Sequence, residues 1–178
     1  MEYKHWDALA TIFNKYEILK NFEGAEIGTK HGSCAFQLLK LFPKLKLYCI
    51  DPYEPYHDDK GKKITAATQS ERLGVALNHL RPYLDKGRVQ LIRRYSVEAA
   101  NLFPKRSLDF VFIDAKHTYE AVKEDISSWE PIIREGGLIS GHDYEMPEIR
   151  KAVDGYAAEA NKWIEYRPGL AQVWAIRV

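Results

Sequence analysis

LDFVFIDAKHTYEAVKEDISSWEPIIREGGLISGHDY, residues 108–144, is the stretch on which the fold turns. It opens on a nearly unbroken apolar run, Leu108 to Ile113, of the kind a strand shows when both of its faces are covered. A helical stretch follows from Tyr119 to Ile133, and Gly136 and Gly137 are expected to stop it by supplying a left-handed cap. Leu138 to Ser140 then reads as a second strand. Strand, crossover helix and strand make the repeating unit of a parallel sheet with helices on its faces.

The same alternation extends in both directions. Upstream, residues 6–20 (WDALATIFNKYEILK) space Trp6, Leu9, Ile12, Phe13, Tyr16 and Leu19 three and four apart, which predicts an amphipathic helix. A short strand from Ala25 to Ile27 runs into Gly28, a helix follows over Ser33 to Leu41, and the strand Leu45 to Ile50 closes on Asp51. Residues 52–70 have neither period and read as a long loop, either a lid over a site or a disordered segment, since loops of that length are uncommon in compact domains otherwise. Next come a helix through Leu73, Leu77 and Leu80, a strand Val89 to Ile92 and a short helix from Val97 to Leu102. Downstream, a helix over Pro147 to Asn161 precedes strands at Trp163–Tyr166 and Gln172–Val178, joined at Arg167, Pro168 and Gly169 as an antiparallel edge hairpin. The expectation is one α/β domain over residues 1–178.

Composition narrows the classes of partner. With 26 Lys and Arg against 25 Asp and Glu, the formal charge is +1, so no net field draws the chain to nucleic acid or an anionic membrane. No apolar run approaches the ~20 residues that span a bilayer. Cys34 and Cys49 have no spacing suited to a metal knuckle or redox pair, and no export segment opens the chain, so a cytoplasmic protein is expected.

In an open parallel sheet, ligands sit beyond the carboxyl ends of the strands. The first such end carries Glu26, Gly28, Thr29 and Gly32, with Gly28 suited to a tight turn and Gly32 to a close approach at a helix start. The second carries Asp51, which either accepts both hydroxyls of a ribose or forms a turn. The third offers Ser96, suited to an adenine edge. The fourth and fifth carry Asp114 and Asp143, and carboxylates directly after buried strands call for a cleft, a cation or a donor. Asp114, His142 and Asp143 are a candidate ligand set for Mg²⁺ or another divalent cation, the alternative being that the two aspartates cap the helices that follow. His117, three residues past Asp114, has the side-chain type suited to taking a proton near neutral pH. The other histidines, His5, His31, His57 and His79, stand in no comparable context.

EIGTKHG, CIDPY, FVFIDAKHTYEAVKEDISSW and GGLISGHDY, in that order, resemble the class I S-adenosylmethionine-dependent methyltransferases. Within these, the chain is similar to the methyltransferase 24 family and to the catechol-type O-methyltransferases. The resemblance implies a Rossmann-like doubly wound sheet of order 3214576 with an antiparallel last strand. It implies that Glu26, Gly28, Thr29 and Gly32 line the methionine and ribose side, that Asp51 holds the ribose, that Ser96 approaches adenine, and that Asp114 lies beside the sulfonium. It also implies a base at His117, where the catechol-type enzymes carry Lys, and a metal at Asp114, His142 and Asp143, where His142 replaces a hard oxygen ligand. The expected activity is methyl transfer to a hydroxyl of a small molecule, with His117 and Asp114 as catalytic residues. The acceptor is expected to be held by residues 52–70 or by a second subunit of a homodimer. The rival readings are another reaction on the same cofactor, such as a lyase or aminopropyl transferase, and a regulatory module that only binds it.

Overall fold

The computed structural model describes residues 4–17, 23–58, 61–166 and 172–178. Five strands lie parallel: β1 (Glu23–Ile27), β2 (Lys46–Ile50), β5 (Val89–Ile92), β6 (Leu108–Ile113) and β7 (Ile133–Gly141). β8 (Ile164–Tyr166) and β9 (Trp174–Arg177) complete a seven-stranded sheet of order β5-β2-β1-β6-β7-β9-β8, with β9 antiparallel to both of its neighbours. Numbered along this sheet alone, the order is 3214576, as expected. A separate hairpin pairs β3 (Tyr56–His57) with β4 (Lys63–Ile64).

Alternation along β6 sorts the core into two layers, because successive side chains of a strand point to opposite faces. Val111 and Ile113 pack under α4 (Ser96–Ala100), α5 (Tyr119–Trp129) and α6 (Pro147–Glu159), against Val122, Ile126, Trp129 and Val153. Phe110 and Phe112 pack on the other face under α1 (His5–Lys15), α2 (Ser33–Leu41) and α3 (Ala66–Leu84), against Leu9, Phe13, Leu38 and Leu80. A strand covered on both sides has no solvent face to keep polar, which is why 108–113 reads as one apolar run. No helix of the described residues is long and apolar enough to cross a membrane.

Several boundaries differ from the sequence reading, each for a local reason. α5 ends at Trp129 and tightens into a 3-10 turn, Glu130–Ile132, because Pro131 lacks the N–H that another helical turn needs. Gly136 and Gly137 therefore cap no helix. They lie inside β7, where Ile133 pairs with Leu108 but Leu138 already pairs with Phe110, a bulge that slips the register. A Cβ on Gly137 would stand 2.5 Å from the Asp109 carbonyl oxygen, so the bulge needs glycine there.

The long loop is also shorter than expected. Thr65 accepts the Thr68 N–H and starts α3 at Ala66, and the β3–β4 hairpin lies ahead of it. Gln69 is buried and donates to the Glu54 carbonyl, tying that segment to α3. Within α3 the buried face is Gln69, Ala76 and Leu80, and Leu77 faces outward. α1 stops at Lys15; residues 18–20 of the expected helix and the turn at 167–169 lie outside the described residues.

Candidate active site

The carboxyl ends of β1, β2, β6 and β7 meet in one place. The Gly28 N–H donates to the Ile50 carbonyl at 2.8 Å, and the Asp114 N–H donates to the Ile27 carbonyl at 2.9 Å, so the tips of three strands are laced together. Gly28 has φ of 93°, and a Cβ there would lie 2.1 Å from the Asp114 carbonyl oxygen. Only glycine takes this turn at this distance from β6. Gly32 has φ of 70° and is the N-cap of α2, and a Cβ there would meet Leu80 and Ala76 of α3. Its bareness serves helix packing.

Beneath this turn lies Glu26, 3% exposed, with the Cys34 and Cys49 thiols and the Thr29 hydroxyl around its carboxyl. Thiols are weak donors, and neither Oε2 of Glu26 nor Oγ1 of Thr29 has a hydrogen bond of normal geometry among the described residues. Burial pushes the Glu26 carboxyl up to about 8, opposed by its hydrogen bond with Cys34 and raised further by Asp114. The folded protein therefore holds a proton that the unfolded chain releases above about 4.5. Its stabilising contribution is complete below that pH and is lost as the pH climbs through about 8. Thermal melts taken at steps from about pH 5 to about pH 9 should show the melting temperature of Glu26→Gln falling less than that of the wild type. Parallel curves would mean that Glu26 does not titrate in this window.

Asp51 forms the turn that one of its two readings expects. Oδ2 accepts the Lys30 N–H at 2.9 Å and Oδ1 accepts the Tyr53 N–H at 2.8 Å, so the carboxylate orders two turns and keeps further lone pairs on both oxygens. Tyr53 is buried and donates its hydroxyl to the Lys30 carbonyl, a brace that the sequence reading placed in a loop and missed. Ser96 departs from expectation. Its hydroxyl accepts the Trp129 indole N–H at 2.9 Å and bonds to Asp125, whose carboxyl burial raises to about 6. That side chain joins α4 to α5.

At the tips of β6 and β7, Ile113 pairs with Gly141, and the His142 N–H donates to the Ile113 carbonyl at 3.1 Å. Gly141 leaves room for the Trp174 ring, whose indole N–H donates to the His142 carbonyl. Neither aspartate caps a helix: α5 is capped by Thr118, and α6 begins after Met146 without a side-chain cap. Instead, one oxygen from each of Asp114 and Asp143 and one nitrogen of His117 lie within 4.8 Å of one another. His117 Nε2 is 3.2 Å from Asp143 Oδ2 and 3.7 Å from Asp114 Oδ1. His142 Nδ1 is 3.1 Å from Asp143 Oδ1 and 3.9 Å from Asp114 Oδ1. Asp143 has φ of 54°, a left-handed conformation that turns its carboxylate back between the two rings. The hydrogen bond from His142 is the largest effect on Asp143 and, with the charges of His142, His117 and His5, holds its carboxyl below the ordinary value against burial.

The three side chains that converge are thus Asp114, His117 and Asp143, with His142 beside them, whereas the sequence reading groups His142 with the two aspartates and sets His117 apart as the base. His5 was missed altogether. It opens α1, its ring lies 5.1 Å from that of His142 and 6.1 Å from that of Phe112, and burial lowers its proton affinity while Asp114 works in the opposite direction. The only trace of it in the sequence is a histidine one residue ahead of an amphipathic face.

The family model described as a methyltransferase domain, Methyltransf_24, matches residues 25–144. An uncharacterized protein of Acanthamoeba polyphaga mimivirus is 29% identical over 175 residues, 92% of this chain and 72% of that one. A putative caffeoyl-CoA O-methyltransferase from Staphylococcus aureus is similar in structure with a TM-score of 0.68 at 13% identity, over 97% of this chain and 82% of that one. The O-methyltransferase NovP aligns with a TM-score of 0.66 at 17% identity, over 95% of this chain and 78% of its own.

Proposed function

Since the chain belongs to the methyltransferase-domain family whose model spans residues 25–144, we propose that it transfers a methyl group from S-adenosylmethionine to a hydroxyl of a small molecule with the help of a divalent cation. The observation that carries this reading is the meeting of Asp114, His117 and Asp143 at the adjacent ends of β6 and β7. Half-buried carboxylates side by side, accompanied by imidazoles, suit a cation and an acceptor oxygen.

The residues at the tips of β1 and β2 fit the cofactor. The polar oxygens Oε2 of Glu26 and Oγ1 of Thr29 under a turn that admits no Cβ, and the spare lone pairs of Asp51, suit a nucleoside and amino acid rich in polar groups. Ser96 takes no part in that fit. S-adenosylmethionine, when bound, supplies an already activated methyl group. What remains for the chain is to place the acceptor hydroxyl in line and remove its proton. Asp114, His117 and Asp143 would hold the cation, whose charge eases ionisation of the hydroxyl. With His117 at the cation, His142, whose Nδ1 lies 3.1 Å from Asp143 Oδ1, would take the proton in this arrangement. The 3.2 Å pair of His117 with Asp143 favours a second reading, free of metal, in which His117 takes the proton and Asp143 orients its ring.

A methyl-donor assay on hydroxylated small molecules, run with and without chelator, separates the possibilities. Release of S-adenosylhomocysteine that stops in EDTA and returns with added cation supports the first reading, release indifferent to EDTA supports the second, and no release with any acceptor defeats both. The cofactor is checked on its own by calorimetry. Asp51→Ala should weaken S-adenosylmethionine binding by ~1.5–3 kcal/mol, the usual cost of losing hydrogen bonds to a charged group. Unchanged affinity would leave Asp51 as a turn former only.

A further inference from the structure

Nitrogen sets the cluster at the ends of β6 and β7 apart from an all-oxygen cage. His117 Nε2 is one of the three convergent atoms, and His142 Nδ1 reaches both carboxylates, at 3.1 and 3.9 Å, from the other side. One nitrogen and two carboxylate oxygens therefore meet in one small space, with His142 Nδ1 beside the carboxylates. The His5 ring lies 5.1 Å from that of His142. Neutral imidazoles bring lone pairs but no charge, so two carboxylates placed like this call for a dication that accepts nitrogen. Mg²⁺ and Ca²⁺ take oxygen ligands and Mg²⁺ keeps much of its water, whereas imidazole suits Zn²⁺, Fe²⁺, Co²⁺ and Ni²⁺.

We propose that Asp114, His117 and Asp143, with His142 as the adjoining nitrogen, form a centre that takes a first-row transition-metal dication in preference to Mg²⁺. The inference deepens the proposed function and rests on its cation reading. Selectivity comes from the one ligand atom that Mg²⁺ values least, Nε2 of His117. Substitution by glutamine, which offers a carbonyl oxygen from a side chain of similar reach, should move the preference back toward Mg²⁺.

The test uses metal alone, with neither cofactor nor acceptor present. Metal-stripped protein is titrated with Co²⁺, followed by its visible absorption, and then with Mg²⁺ and Zn²⁺ as competitors. The expected result is one Co²⁺ per chain, displaced by Zn²⁺, with half-saturation at least ~100-fold below that for Mg²⁺. In His117→Gln the gap between Co²⁺ and Mg²⁺ should narrow by ~10-fold or more, with circular dichroism unchanged. Should that variant not fold, Asp114→Asn is expected to weaken both ions while Co²⁺ still outbinds Mg²⁺. Mg²⁺ binding as tightly as Co²⁺, a gap untouched in His117→Gln, or no ion bound at all overturns the proposal. Protein that binds no ion yet releases S-adenosylhomocysteine in EDTA defeats the metal centre and leaves methyl transfer standing. Protein that binds Co²⁺ but methylates nothing does the reverse.

Discussion

Replacing His117 by alanine should lower kcat on a hydroxylated acceptor by about 10²- to 10⁴-fold, the range for losing a positioned group that carries the acceptor's proton or stabilises its developing charge. The ring stands between two half-buried carboxylates, 3.2 Å from Asp143 and 3.7 Å from Asp114. Without it neither a cation nor an acceptor oxygen finds the third partner of the cluster. The residues proposed for the cofactor, Glu26, Thr29 and Asp51, lie at the tips of β1 and β2, and none of their hydrogen bonds runs through His117. S-adenosylmethionine affinity should therefore stay close to that of the wild type, so that the loss falls in kcat. His117→Lys is the discriminating companion. An ammonium between the carboxylates displaces a cation and should leave the enzyme inactive if the cation is essential, but should recover part of the rate at high pH if His117 is a simple base. A raised cofactor Kd with unchanged kcat in His117→Ala would make the residue structural.

Gly28→Ala should destabilise the fold by about 2–6 kcal/mol, with about 4 as the centre, combining ~1–3 kcal/mol of backbone strain for a side chain at positive φ with a similar cost of overpacking. The two costs fall on one atom. With φ at 93°, the added Cβ lies 2.1 Å from the Asp114 carbonyl oxygen, and that neighbour is backbone, which no rotamer change can move aside. Relief would have to come from parting β1 and β6, whose tips are tied by the Asp114 N–H to the Ile27 carbonyl. For a chain of this length, such a loss lowers the melting temperature by roughly 10 °C. Calorimetric or optical melts of the variant measure it directly. A melting temperature within about 2 °C of wild type would show that the strand tips separate easily, and that Gly28 reflects the needs of a ligand more than those of the fold.

Much of the fold is legible along the chain because its signals are local. β5 and β6 were read to the residue, β6 most clearly, since a strand covered on both faces shows a nearly unbroken apolar run. The strand order came from resemblance, and no periodicity could have supplied it. The misread elements turn on pairs of residues far apart in the chain. Gly136 and Gly137 look like a helix stop, but their environment is set by β6 across the sheet, where Leu108 and Phe110 pair on either side of a bulge. Ser96 has the residue type and strand-end position of a ligand contact, yet its partner is Trp129 on α5.

The candidate site divides in the same way. By itself the sequence placed the acidic groups near strand ends: Glu26 lies one residue before the end of β1, Asp51 and Asp114 directly follow β2 and β6, Asp143 lies two residues past β7, and parallel strands bring their carboxyl ends to one edge. Only the tertiary structure decided how those groups face one another. Asp143 turns between His117 and His142 because its φ is 54°, a backbone state that aspartate tolerates but residue type does not announce. His5 joins them because α1 packs through Leu9 and Phe13 on the Phe110 and Phe112 face of β6, with its first turn beside the strand's end. Strand-end placement follows from patterns a few residues long, whereas ring orientation and ligand convergence depend on dihedral angles and packing between segments that are distant in the chain.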